Sequence, residues 1–154
     1  MNDVVGKWPD WIPVVREMYA STNSPWVIEN VAQARWVMKN PVELCGCMFD
    51  LSTIDDDGIE IYMQRIRLFE SNFDLDSPRP HNHTFQEWWA GAYGGARRDK
   101  YEAKYVRKGG YVPPNIEVVR ALLGVEHKMT WKGLFECIPP AFSEYVGAKM
   151  LEVL

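Results

Sequence analysis

Residues 26–31 read WVIENV, an apolar run that ends in an adjacent carboxylate and amide, Glu29 and Asn30. A buried strand ending in those groups either turns at the asparagine and exposes the acid to solvent, or holds the acid for chemistry. Arg65 and Arg67 stand two apart in a strand-like run, so they share one face. Such a pair either serves a pocket or forms a solvated strand face. Cys45-x-Cys47 and His81-x-His83 supply thiol and imidazole groups of the kind that bind zinc. Structural zinc pairs more commonly leave about two to four residues between cysteines. No metal is therefore expected, and the letters HNH at 81–83 do not by themselves signal a nuclease.

A further cluster lies between residues 97 and 108, where Arg97, Arg98, Lys100, Lys104, Arg107 and Lys108 face only two acids, Asp99 and Glu102. Tyr93, Tyr101, Tyr105 and Tyr111 interleave it, and Gly94-Gly95 and Gly109-Gly110 bracket it. Cations on phosphates and aromatic rings near sugars or bases are the means of DNA contact. The plain alternative is a solvated charged face.

The elements that must position these groups follow from periodicity. DWIPVVREMYA, residues 10–20, sets Trp11, Val14, Val15, Met18 and Tyr19 at helical spacing, with Asp10 as N-cap. WVIENV then reads as a short buried strand of the parallel kind. CGCMFDL and IEIYMQRIRLFESNF read as further strands, separated by the acidic turn DDDG at 55–58. Residues 74–114 lack clear periodicity and read as irregular, surface-serving structure. Asn115 caps a helix that Gly124 stops, and Thr130 caps another turn. Pro139-Pro140 begins a last helix with Phe142, Tyr145, Val146 and Met150 on its apolar side.

The length of 154 residues suits one domain with a sizeable core. The 47% hydrophobic and 25% charged content is that of a globular chain. Three cysteines, an odd number, make no disulfide framework and fit a reducing compartment. No apolar run spans a membrane, and the N-terminus lacks a signal-peptide pattern, so the expected location is cytoplasmic. The formal net charge of −4 conceals the basic window.

Three landmarks in order, ENV at 29–31, RIRLFESNF at 65–73 and IPPAFSEYVG at 138–147, resemble the later motifs of DNA (cytosine-5) methyltransferases, especially the short bacteriophage forms. NPVELCGCMFDL and RRDKYEAKYVRKGGYVPP are similar to those forms too, so the resemblance covers roughly residues 7–150. It implies a bacterial or phage-infected cell and a double-stranded DNA substrate. Glu29 then hydrogen-bonds the ring nitrogen and exocyclic amine of a cytosine flipped out of the duplex, and Asn30 shapes the loop around it. One arginine of the pair contacts the base and the other positions the backbone and the glutamate; by register, Arg67 matches the one nearer the base. Pro139, Pro140 and Ala141 match the final motif, which folds back beside the cofactor-binding first motif. Two departures stand out. Met63 occupies the place where the family often has glutamine, and Phe135-Glu136 the place of a Gly-Asn pair.

The family also needs a Gly-rich turn for S-adenosylmethionine and a Pro-Cys dipeptide for the attacking thiolate. Neither occurs in this sequence, and Cys45, Cys47 and Cys137 stand at the wrong places in the motif order. The implied fold class is α/β, the C-terminal part of a Rossmann-like methyltransferase sheet. Its parts would be a partial catalytic region (1–73), an irregular target-recognition region (74–114) and C-terminal helices packing back on the catalytic region (115–154). Methyl transfer and S-adenosylmethionine binding then require a complementing N-terminal polypeptide, and the open edge implies a partner, either that polypeptide or a second copy of the chain, because an apolar edge strand is seldom left bare. The alternative is a non-catalytic DNA-binding or regulatory protein derived from a methyltransferase.

Overall fold

The computed structural model describes residues 11–84, 88–92, 105–106 and 110–154. Within them the chain is mixed α/β, with two sheets and four helices. The first helix, α1, spans Ile12–Ala20 with a proline in its first turn, where a missing N–H is harmless. Trp11 is its N-cap and makes no side-chain cap; the expected cap, Asp10, lies outside the described residues. Only part of its apolar spacing turns inward. Ile12 and Val15 pack with Ile28, Met38 and Leu68. Trp11, Val14 and Met18 stay 62%, 45% and 63% exposed. Their spacing sets them on one helical stripe.

WVIENV becomes β1, Val27–Val31, and the segment after Asn40 begins with β2, Val42–Cys45. Both flank β5, Ile66–Ser71, in a sheet ordered β1-β5-β2 with two antiparallel pairings. The parallel setting expected for β1 is thus corrected: a short apolar run reports burial, not partner direction. β1 is an edge strand among the described residues, and Val31 at its end is 41% exposed.

CGCMFDL is not one strand. β2 stops at Cys45, a 3-10 turn follows over Gly46–Phe49, and Asp50 closes it with φ of 53°. A side chain at residue 46 would put its Cβ 2.6 Å from the Met63 carbonyl oxygen, so only glycine admits this close approach.

The long run expected as one strand at 59–73 also divides. β3 (Ser52–Ile54) and β4 (Glu60–Met63) form a hairpin in a second sheet, and the chain changes sheets at Gln64-Arg65 before β5. The DDDG turn closes that hairpin. Asp55 Oδ1 accepts from the amides of Asp57 at 3.0 Å and Ile59 at 2.8 Å, as a turn-forming aspartate does. Gly58 takes φ of 77°.

The second sheet is ordered β3-β4-β6-β8-β7, with β6 at Trp89–Ala90, β7 at Tyr105–Val106 and β8 at Gly110–Tyr111. The region expected as irregular therefore supplies three very short strands. The Tyr111 hydroxyl, buried, donates to Asp55 Oδ2 and ties β8 to the hairpin turn.

The helical tail follows its caps. Asn115 accepts from Val118 N at the start of α2 (Ile116–Leu122), and Gly124 ends it at φ of 69°. Thr130 accepts from Gly133 N at the start of α3 (Trp131–Glu136). The last helix, α4, spans Pro140–Leu151. α2 and α3 cover the second sheet through Val119, Leu122 and Leu134 against Ile61 and Met63. α4 covers one face of the first through Phe142 and Val146 against Leu44 and Phe69. Among the described residues no helix is long and apolar enough to cross a membrane.

Candidate functional site

The ENV glutamate and the arginine pair meet where β1 and β5 run side by side. Glu29 is paired with Phe69 and Val31 with Arg67, so Glu29 and Arg67 are diagonal neighbours on one sheet face. Arg67 Nε lies 2.9 Å from Glu29 Oε1, and the arginine side chain is only 7% exposed. Partial burial raises the Glu29 pKa above its ordinary value, against the opposing pull of Arg67 and then Arg65. Desolvation disfavours the charged form, so this carboxyl is easier to protonate than a solvated one.

Arg65 plays a different part from Arg67. It is fully buried at the corner between the sheets, and its guanidinium donates to three carbonyls: Ala92 (2.6 Å), Phe135 (2.6 Å) and Cys137 (2.8 Å). Planar donors in a rigid fork suit such a convergence of backbone oxygens. Arg65 thus fixes the chain beyond β6 and the α3–α4 connection against the start of β5. Asn30 Oδ1 accepts from Val31 N at 2.8 Å, so its side chain folds back on the end of β1.

Pro139, Pro140 and Ala141 stand at the start of α4, with Pro139 buried. They offer no side-chain donor or acceptor. Arg97, Arg98, Lys100, Lys104, Arg107 and Lys108 lie outside the described residues, as do Tyr93 and Tyr101. Of the cysteines, Cys137 sits close enough to feel both arginines, yet burial still raises its thiol pKa. Burial also pushes the Cys45 thiol up to about 12. Neither has the character of an activated nucleophile.

The expectations missed a buried carboxylate on the other face of β5. Glu70, 2% exposed, is held by the Arg16 guanidinium, whose Nη2 donates to Glu70 Oε2 at 2.8 Å, and by the amide of Lys39 at 2.7 Å. It lines a cleft of 480 Å³ together with Arg16, Trp26, Lys39, Ser71 and Asp74. The signal was present in the alternation of β5, which sets an acid in register with the core residues Leu68 and Ile28. The fold also gathers the side chains of Cys45, Cys47, His81 and His83, whose ligating atoms all lie within 4.8 Å of one another.

No protein-family model, curated protein or solved structure matches the chain.

Proposed function

We propose that this chain is the C-terminal part or subunit of a DNA (cytosine-5) methyltransferase, supplying target-base contacts and DNA recognition, with an N-terminal half contributing the cofactor turn and the Pro-Cys nucleophile. The observation that carries the reading is the pairing of Glu29 with Arg67: a half-buried carboxyl in the middle of an edge strand, 2.9 Å from a nearly buried guanidinium.

Such a carboxyl suits a cytosine turned out of the duplex. Protonated, it donates to the ring nitrogen, while its other oxygen accepts from the exocyclic amine. Placing a proton on the ring nitrogen draws electrons from the ring and favours attack at carbon 6 by a thiolate. Arg67 orients the carboxyl, and Arg65 holds the backbone from which Arg67 projects. The β1-β5-β2 sheet then forms the end of a larger Rossmann-like sheet, whose next strand adds to the open edge of β1. The bare stripe of Trp11, Val14 and Met18 on α1 is further apolar surface of the kind an interface covers.

Among the described residues, those matched to the family make no complete site for S-adenosylmethionine. A Gly-rich turn is lacking from the sequence, and Pro139, Pro140 and Ala141 offer only an apolar wall. The methyl-transfer step thus belongs to the complementing half.

The test is recovery of the tagged chain from its native cell, with mass spectrometry of what accompanies it. A copurifying protein with a Pro-Cys loop is expected, and the mixture should label DNA from methyl-labelled S-adenosylmethionine. Replacing Glu29→Gln should lower labelling by roughly 100-fold or more. If only DNA accompanies the chain and no mixture labels it, the catalytic reading fails in favour of a DNA-binding regulator.

A further inference from the structure

We infer that Cys45, Cys47, His81 and His83 form a structural zinc site that fastens the segment after β5 to the end of β2. The inference does not depend on methyl transfer. Two thiols and two imidazoles are the donor set of closed, tetrahedral zinc centres. The ligating atoms lie within 4.8 Å of one another, and tetrahedral zinc would set them about 3.3–3.8 Å apart. Cys45 Sγ to His83 Nε2 is already 3.7 Å, and the two histidine Nε2 atoms approach to 2.5 Å. Closure around an ion therefore requires shifts of only about 1 Å.

The short spacing that argued against a shared ion is resolved by the local backbone. Successive strand residues point to opposite faces, but the chain leaves strand geometry at Cys45 and enters the 3-10 turn at Gly46. That change turns Cys47 toward the same side as Cys45. On the other segment, Asn82 Oδ1 accepts from Thr84 N at 2.9 Å and from Thr84 Oγ1 at 2.7 Å. Side-chain bonding of this kind makes a tight turn, which brings the flanking imidazoles together.

The surroundings orient the donors as metal sites require. His81 Nδ1 lies 2.8 Å from Glu43 Oε1, which places the proton on Nδ1 and leaves the Nε2 lone pair facing the cluster. A carboxylate behind a ligating histidine is the usual outer partner in zinc centres. Glu43 is in turn held by Arg35, and Arg79 Nη2 donates to the Cys47 carbonyl at 2.8 Å. Cys45 is fully buried, whereas His81 lies toward solvent, so an ion can enter from that side.

The test uses the full chain, expressed with zinc, treated with a mild chelator and assayed by elemental mass spectrometry. About one zinc ion per chain is expected. Cobalt(II) exchanged into the chain should give the visible bands of a tetrahedral ion and a thiolate charge-transfer band in the near ultraviolet. Cys47→Ser and His83→Ala should lose both signatures, whereas Cys137→Ser and His127→Ala keep them. Glu43→Gln should weaken zinc binding by about 10–100-fold while leaving the tetrahedral spectrum intact. If the ligand variants fail to fold, the cobalt spectrum of the intact chain decides alone. A chain without retained zinc and without tetrahedral cobalt bands overturns the site, as does a folded Cys47→Ser chain with its full zinc complement.

Discussion

Arg67 Nε lies 2.9 Å from Glu29 Oε1, although their backbones are not paired: Glu29 faces Phe69 and Arg67 faces Val31. The diagonal reach lets a nearly buried cation oppose the burial that raises the Glu29 pKa. Because the folded value lies above the unfolded one, the stability from protonating Glu29 is full below the ordinary carboxylate range and lost as pH rises through the raised value. Replacing Arg67→Gln removes the main opposing charge, so the Glu29 midpoint should move higher still. Carbon-13 NMR of the carboxyl against pH measures it. A midpoint that falls in the variant would show that Arg67 does not act on Glu29 through its charge.

Glu70 behaves in the opposite sense. Its burial by itself raises the pKa, but the Arg16 hydrogen bonds and the Lys39 amide outweigh it and hold the value below the ordinary one. The stability it adds is therefore present above the unfolded carboxylate pKa and lost as pH falls through the lowered folded value. Arg16→Ala should cost about 3–5 kcal/mol at neutral pH, because it strands a buried charge. Glu70→Gln should flatten the acid limb of the stability curve. Urea melts between neutral pH and the acid range measure both, and an unchanged acid limb in Glu70→Gln would remove this group from the account.

Local signals in the sequence were legible wherever one residue decides the outcome. Asn115, Gly124 and Thr130 cap or stop helices as their side chains and backbones dictate, and DDDG turns the β3–β4 hairpin through Asp55 and Gly58. What was not legible depends on contacts distant in sequence. The alternation of Ile59, Ile61 and Met63 changes phase before Ile66 and Leu68, where the chain changes sheets, but what holds that corner is distant: Arg65 is claimed by carbonyls of residues 92, 135 and 137. The direction of β1 depends on β5, far along the chain. Nor did the spacing of the cysteine and histidine pairs show that their ligating atoms gather within 4.8 Å of one another, a grouping that the strand-to-turn change at Gly46 permits.

The corner between the sheets is where this fold should be most sensitive. Arg65→Lys keeps the charge but loses the planar fork, leaving at least one buried carbonyl without its donor. A loss of about 2–4 kcal/mol is expected in denaturant melts. Gly46→Ala attacks the same junction sterically, since the added Cβ would stand 2.5 Å from Met63 Cβ and 2.6 Å from the Met63 carbonyl oxygen. Backbone must shift to admit it, with an expected loss of about 1–3 kcal/mol. A Gly46→Ala chain as stable as the parent would mean that the 3-10 turn and β4 can separate without loss.

The open side of β1 gives the partner proposal its most direct physical readout. In an antiparallel edge strand, alternate amides bond to the neighbour while the others face outward without a ladder partner. Across Val27–Val31, the outward amides of the isolated chain should exchange hydrogen rapidly, while those bonded to β5 are protected. Adding the proposed complementing half should slow the outward amides by at least about 100-fold, through a new strand on that edge. Protection already present in the chain alone, and growing with its concentration, would identify a second copy as the occupant. Outward amides that stay fast with an active complementing half bound would show that it joins elsewhere, with the exposed Trp11, Val14 and Met18 stripe the next surface to map.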